Sequence, residues 1–382
     1  MQIEPSLLET LCCPVGKTPL RPMTREELES WNTLIAHDRA GHACGARVDG
    51  PLVDALAAAD GASVYPIRDG VPVLVPRLRI VASPGSWPRA PLADSANQED
   101  PWADRWKELS HRWDDLGPPI RPALEDNELL HRLVSEELAA SGRPRPRALL
   151  LGVTPEIATM RWPAGTCLLA LDSSEAMVRN VWPAGEVRNG VAALADWLTM
   201  PVRDAAYDIV VGDGSLSVPR YPQGGAALVR EIGRVLKDDG ALAVRMFTRP
   251  ETPEPVEVVF ADLRAGRIGS LDALKWRLVM ALHGDVATGA RMGDIWDAWE
   301  ANVPDAAALM RSLGWPPETP EILTGLCGLE ARITFPTLAE VRAILSPEFE
   351  EAACLHPGYA DGERYPTMLF RPARRRRGRA RS

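Results

Sequence analysis

Gly152 and Asp172 stand 20 residues apart, each closing an apolar run: RALLLGV (147–153) and TCLLALD (166–172). A nucleoside site in a parallel α/β fold needs that order. The backbone must turn sharply at the carboxyl end of one strand. A carboxylate must close the next, where it can accept hydrogen bonds from two ribose hydroxyls. Two more acids follow apolar stretches, Asp196 beside Trp197 in VAALADWLTMP and Asp213 in YDIVVGDGSLS. The chemistry this pattern offers is the grip of a nucleoside-like ligand along one edge of a sheet.

The elements that must position these residues alternate in the βαβ manner from residue 147. RALLLGV, TCLLALD, YDIVVGDG and ALAVRMF read as buried parallel strands, apolar throughout. SSEAMVRNVW reads as a helix with serine caps, and GGAALVREIGRVLKDDG as an amphipathic helix closed by Gly240. VAALADWLTMP reads as a short connection. Residues 251–345 break the alternation with three helical stretches, LDALKWRLVMAL, MGDIWDAWEANV and FPTLAEVRAIL. FEEAACLHP and RYPTMLFRP then read as two strands joined by GYADGE, a terminal antiparallel hairpin. The helices between are expected to cap the sheet's carboxyl edge.

Upstream, residues 1–80 read as a separate small α+β unit. TREELESWNTLIAH is a helix with Thr24 as N-cap and Glu27 three residues on. GASVYPIRDGVPVLVP is a strand, a turn at Asp69-Gly70, and a strand. Residues 81–100, rich in Pro, Ser, Gly and Ala, read as a linker. Two helices follow, over roughly 101–115 with a Trp102, Trp106, Leu109, Trp113 stripe, and roughly 126–140.

The chain has 382 residues, room for two domains, and is 46% hydrophobic and 25% charged, as in ordinary globular proteins. No apolar run reaches the length of a membrane span, and MQIEPSLLET is no secretory signal. The six scattered cysteines fit reduced thiols in a cytoplasm better than a disulfide scaffold. The expected location is therefore cytoplasmic, with no membrane partner. Net charge is −9, but residues 371–382 hold seven arginines and no acid, so the rest carries 36 basic against 52 acidic side chains. Such a body repels nucleic acid at long range while the tail attracts it.

These residues carry a resemblance. Residues 147–250 resemble the core of the class I S-adenosylmethionine-dependent methyltransferases. LLALDSSEAMV is similar to that family's second signature, Asp196-Trp197 to its third, YDIVVGDGSLS to its fourth segment, and REIGRVLKDDGALAVRMF to its following helix, glycine turn and strand. The resemblance implies an α/β fold: a Rossmann-like seven-stranded sheet, parallel with a terminal antiparallel hairpin, with a helical cap inserted near 251–345 in a catalytic domain over 101–382. It implies S-adenosylmethionine as cofactor, held by Gly152, Thr154, Asp172, Ser173, Met177, Asp196, Trp197 and Asp213. Asp172 takes the ribose position, and Asp196-Trp197 frames the adenine.

The first signature departs from the family's pattern. Leu150 stands where an acid is common, and Thr154 and Glu156 where later glycines fall. The missing acid removes a charge-assisted hydrogen bond to the donor's ammonium, worth about 1.5–3 kcal/mol, and Glu156 is the neighbouring candidate to replace it. Adenosylmethionine carries no phosphate, so its loop need not wrap a pyrophosphate. NAD or FAD would need the closely spaced glycines that GVTPEIA lacks.

The catalytic group is not identified by the sequence. The sulfonium is an activated donor, and alignment supplies most of the acceleration. A general base is needed only where the acceptor must lose a proton. Asp213, His111, His131, His283 and Tyr221 are candidates.

The N-terminal LLETLCCPVGKTPL and YPIRDGVPVLVP are similar to a zinc-ribbon-like family that includes a methyltransferase activator subunit. Gly16 replaces its second cysteine. Cys12, Cys13, His42 and Cys44 lack the paired spacing of a zinc site, so no metal is expected. The resemblance implies that this unit covers an apolar surface of the catalytic domain in cis. The expected acceptor is a small molecule enclosed by the cap. RNA or protein, drawn by the arginine tail, and a methyltransferase-like scaffold without donor are the alternatives.

Overall fold

The computed structural model describes residues 3–82 and 103–373. Most of the linker and of the arginine tail, with Trp87 and Trp102, lies outside the described residues.

Seven strands form the large sheet: β1 (Arg147–Leu151), β2 (Cys167–Asp172), β3 (Gly190–Leu194), β4 (Tyr207–Asp213), β5 (Leu236–Arg245), β6 (Phe349–Leu355) and β7 (Thr367–Pro372). Their order is β6-β7-β5-β4-β1-β2-β3. Strands β1 to β5 run parallel, while β7 is antiparallel to both β5 and β6. This is the α/β, Rossmann-like seven-stranded sheet with a terminal hairpin. The chain leaves β1 toward β2 and β3 on one side and returns to β4 on the other. The β1–β4 boundary is thus the topological switch point, where open α/β sheets leave a crevice at their carboxyl ends.

The strands are apolar throughout because both faces are covered. Leu149, Leu151, Leu169, Leu171, Val210 and Val244 enter one core. Their neighbours Ala148, Leu150, Leu168, Ala170, Val211 and Ala243 enter the other, under helices α1 (Leu124–Ser141) and α2 (Glu175–Asn180).

Two local expectations change. VAALADWLTMP begins as strand β3 rather than as a connection. Its alanines carry little strand propensity; neighbours on both sides decide it. The amphipathic helix α3 (Gln223–Val235) ends at Val235, short of Gly240, because Leu236 already pairs with Tyr207.

The N-terminal unit is an antiparallel sheet with the helix Arg25–Ala36 packed on it. That helix carries the expected capping box of Thr24 and Glu27. The unit docks on the free edge of β3. Leu74 donates its N–H to the Leu194 carbonyl at 2.8 Å, and Val73 bridges Leu194 in parallel. Cys12 N–H reaches Pro201 O at 2.8 Å, and the Thr10 hydroxyl meets Tyr207 OH at 2.9 Å. Leu7, Leu11, Leu56, Tyr65 and Leu74 share one core with β1, β2 and β3. An exposed sheet edge is thereby covered.

A shared core makes a test. Leu11 is fully buried and bridges Val202. Leu11→Ala is expected to cost about 2–5 kcal/mol. Urea unfolding should stay a single transition, moved to lower denaturant. A separate early transition would show a unit that unfolds alone.

The segment between β5 and β6 holds the cap, with helices Val256–Arg264, Leu271–Ala281, Gly293–Asn302 and Ala306–Leu313 among its elements, whereas Leu338–Leu345, expected in the cap, buries Val341 and Leu345 in the core of the large sheet beside α3. It has its own core, centred on Phe247, Phe260, Trp299 and Phe335. Phe247 stacks edge-on with Trp276, Phe335 and Tyr365 at 6.0–6.1 Å. The cap meets the sheet at Gly214, whose positive φ of 60° and missing Cβ admit the Phe247 ring.

Candidate functional site

Three of the residues singled out in the sequence converge at the carboxyl ends of β1 and β2. Gly152 follows β1 with φ +102°, a backbone geometry open chiefly to glycine. A Cβ built there would lie 3.9 Å from Trp197 Cζ2 and 4.0 Å from Asp172 Oδ2. The sheet rung is held by Gly152 N–H donating to Leu171 O at 2.8 Å. The Trp197 indole Nε1–H donates to the same carbonyl at 2.6 Å.

Asp172 closes β2, half-buried, and its Oδ1 accepts the Ser174 N–H at 2.8 Å. Ser174 in turn caps α2, accepting the Met177 N–H. The neighbouring Ser173 is exposed, while Met177 is buried in the core beneath α2. Thr154 is buried at the start of the helical turn Pro155–Ala158. Asp196 caps the 3-10 turn Trp197–Thr199, its Oδ1 accepting Leu198 N–H at 2.8 Å.

Asp213 has a different fate. It lies opposite Arg245 in the β4–β5 register. Arg245 Nε donates to Asp213 Oδ1 at 2.6 Å and Nη2 to Oδ2 at 3.1 Å. The guanidinium also reaches Asp126 Oδ2 at 3.1 Å and Pro119 O at 3.0 Å. Asp126 accepts further bonds from Tyr359 OH at 2.9 Å and Ala123 N–H at 2.8 Å. Arg245 is buried to 1% exposure and rests 4.9 Å from the Phe247 ring centroid. Burial raises the Asp213 carboxyl and the Arg245 fork pulls it back. The net direction is upward, and the fork binds both carboxyl oxygens to the guanidinium. A carboxylate so committed is not a free general base.

Glu156, the candidate replacement for the absent acid, is also paired. Its Oε1 accepts Arg121 Nε at 2.6 Å and Nη2 at 2.5 Å, and Arg121 stands 5.7 Å from the Trp113 ring centroid. Its Oε2 is buried and has no hydrogen-bond partner, as do the hydroxyls of Ser215, Ser217 and Tyr221 around the end of β4. Buried polar atoms without partners call for an explanation, and a ligand or water is one.

The histidines have other partners. His283 is buried. Its Nδ1–H donates to Gly284 O at 2.9 Å, and its Nε2 accepts Phe335 N–H at 3.0 Å. Burial lowers its pKa, so it stays neutral. His131 Nε2 meets Arg161 O at 2.9 Å, and His111 is exposed at the end of Ala103–His111.

No metal centre gathers among the described residues. Burial pushes the Cys12 thiol up to about 11. Cys13 Sγ meets Tyr65 OH at 3.0 Å, His42 Nδ1 meets Leu78 O at 2.7 Å, and Cys44 is exposed. No helix of the described residues is long and apolar enough to cross a membrane.

Sequence reading missed Arg245 and Arg121. The signal for Arg245 was present: one cation inside the apolar run ALAVRMF, beside a strand that ends in an acid. Arg121 had no such signal, since its partner Glu156 lies 35 positions away.

No sequence-family model matches the chain. No curated protein matches it either. Solved structures do align with it. A Rhodobacter sphaeroides protein described provisionally as a Zn-dependent alcohol dehydrogenase aligns at 13% identity over 72% of this chain and 100% of its own, with a TM-score of 0.48. The CcbJ methyltransferase from Streptomyces caelestis aligns at 13% identity over 69% and 96%, with a TM-score of 0.42. The Burkholderia thailandensis 1,6-didemethyltoxoflavin-N1-methyltransferase, solved with S-adenosylhomocysteine, aligns at 13% identity over 82% and 97%, with a TM-score of 0.41.

Proposed function

We propose that this protein is an S-adenosylmethionine-dependent methyltransferase acting on a small-molecule acceptor, with the N-terminal unit stabilising the catalytic sheet in cis. One observation carries the reading. Gly152, Asp172 and the Asp196-Trp197 pair come together at the carboxyl ends of β1 to β3, beside the switch point of the sheet. The donor set fits an adenosine: a carboxylate at the sugar position, a second at the purine edge, and a glycine that admits close approach. None of these groups asks for a phosphate, which argues against a dinucleotide.

When bound, the donor supplies an activated methyl group on a sulfonium. The chain's own residues do the rest. Asp172 accepts from the ribose hydroxyls, and Asp196 holds the purine edge. The partnerless Glu156 Oε2 offers the ammonium an acceptor in place of the acid absent at Leu150. The cap excludes water above the ends of β4 and β5, where an acceptor would meet the methyl group. Asp213, committed to Arg245, is not free to take a proton from the acceptor. An acceptor that is nucleophilic in its neutral form suits such a site.

The acidic body disfavours a nucleic-acid acceptor, and the arginine-rich end is the feature that could reverse that. Removal of residues 374–382, which leaves β7 whole, would then abolish a salt-dependent RNA affinity.

Titration calorimetry of the full chain with S-adenosylhomocysteine tests the reading. One saturable site is expected. No heat and no thermal stabilisation at millimolar ligand would leave only a methyltransferase-like scaffold.

A further inference from the structure

We propose that the Trp197 indole is a plug, seated in the space the donor's ribose must take, and that donor binding requires the ring to swing out. The proposal rests on the donor reading above.

The ring sits where a sugar would lie. Its Nε1–H donates to Leu171 O at 2.6 Å, the carbonyl that also receives the Gly152 N–H at 2.8 Å. The indole is therefore anchored on the β1–β2 rung itself. Its Cζ2 stands 3.9 Å from a Cβ built on Gly152, and Asp172 Oδ2 stands 4.0 Å from the same point. A methyl group would touch both in ordinary van der Waals contact. A furanose ring with its hydroxyls is several times that size. A sugar brought against both Gly152 and the Asp172 carboxylate would meet the indole there.

The segment that carries the ring is a short turn, its indole packed against the core shared by β1, β2 and the N-terminal unit. Trp197–Thr199 is a single 3-10 turn, and Leu198 beside it is 39% exposed. One side chain, Asp196, caps it through Leu198 N–H at 2.8 Å and Thr199 Oγ1 at 3.4 Å. Short turns with exposed backbone open at low cost. Asp196 is also the carboxylate proposed for the purine edge. A purine amine arriving there competes with the cap that holds the turn, so adenine recognition and release of the indole draw on the same group. The apparent affinity is then the intrinsic affinity multiplied by the fraction of molecules with the ring out.

The test compares wild type, Trp197→Phe and Trp197→Ala in the full chain, with S-adenosylhomocysteine as probe and far-UV circular dichroism to verify folding. The phenyl ring loses the anchor to Leu171 O, and alanine loses the whole plug. Both variants are expected to bind more tightly than wild type, alanine by about tenfold, the factor expected if the open state is roughly one molecule in ten. In wild type, the indole N–H resonance that Trp197→Phe removes should shift when ligand is added. Weaker or unchanged binding in both variants would make Trp197 a wall of the site and overturn the plug, while leaving the donor reading intact. Absence of binding in all three folded proteins would overturn the donor reading, and the plug with it.

Discussion

Asp172→Asn is expected to weaken S-adenosylhomocysteine binding about tenfold to a hundredfold, while the start of α2 stays capped. The amide keeps the oxygen that accepts Ser174 N–H, so the start of α2 remains capped. What it loses is the charge behind two hydrogen bonds to a ribose. Charge-assisted bonds are worth about 1.5–3 kcal/mol each, and a factor of ten in affinity is about 1.4 kcal/mol. Neutral bonds are about half as strong, so losing the charge on two bonds costs about 1.5–3 kcal/mol, roughly a tenfold to a hundredfold loss of affinity. Calorimetry gives the affinity and urea denaturation the stability. Equal affinity in the two proteins would remove Asp172 from the site.

The second large effect concerns stability. Arg245→Met is expected to cost about 3–5 kcal/mol, the usual penalty for removing one member of a buried ion pair. Arg245 lies between Asp213 and Asp126, both within hydrogen-bond reach and with side chains 5% and 1% exposed. Methionine fills much of the volume but leaves two buried carboxylates facing apolar surface. Adding Asp213→Leu should recover part of the loss, because the carboxylate that only Arg245 pairs among the described residues is then gone. Asp126 keeps Tyr359 OH and the Ala123 N–H. The midpoint of urea unfolding reports both steps. A double variant less stable than Arg245→Met would show that Asp213 is satisfied by something other than Arg245.

The same cluster sets the polarity of the site. Arg245, Asp213, Asp126, Arg121 and Glu156 together carry two cations and three carboxylates. The pairs also fix three elements relative to one another. Arg245 ties β5 to β4 and to the first turn of α1, and Tyr359 adds the β6–β7 connection.

Local sequence was sufficient for the elements with strong periodicity or strong punctuation. The runs RALLL, CLLALD and YDIVVGD are apolar because both sheet faces are covered, and that is visible residue by residue. The box formed by Thr24 and Glu27 closes within one turn, so its residues alone announce it. GVAAL carried neither signal: its alanines are neutral, and it becomes a strand only because β2 lies on one side and Leu74 on the other.

The site divides along the same line. Gly152 and Asp172 are tied to strand ends, and strand ends are written in the order of residue types. From the sequence alone came the α/β class, the glycine turn, the carboxylate that closes β2 and the acid before Trp197. Tertiary structure alone decided that Asp213 answers to Arg245, that Glu156 answers to Arg121, and that the Trp197 ring turns back onto Gly152. The physical reason is range. Hydrophobic period and turn chemistry act between neighbours in the chain, whereas charge pairing and side-chain direction depend on which distant strands the fold sets side by side.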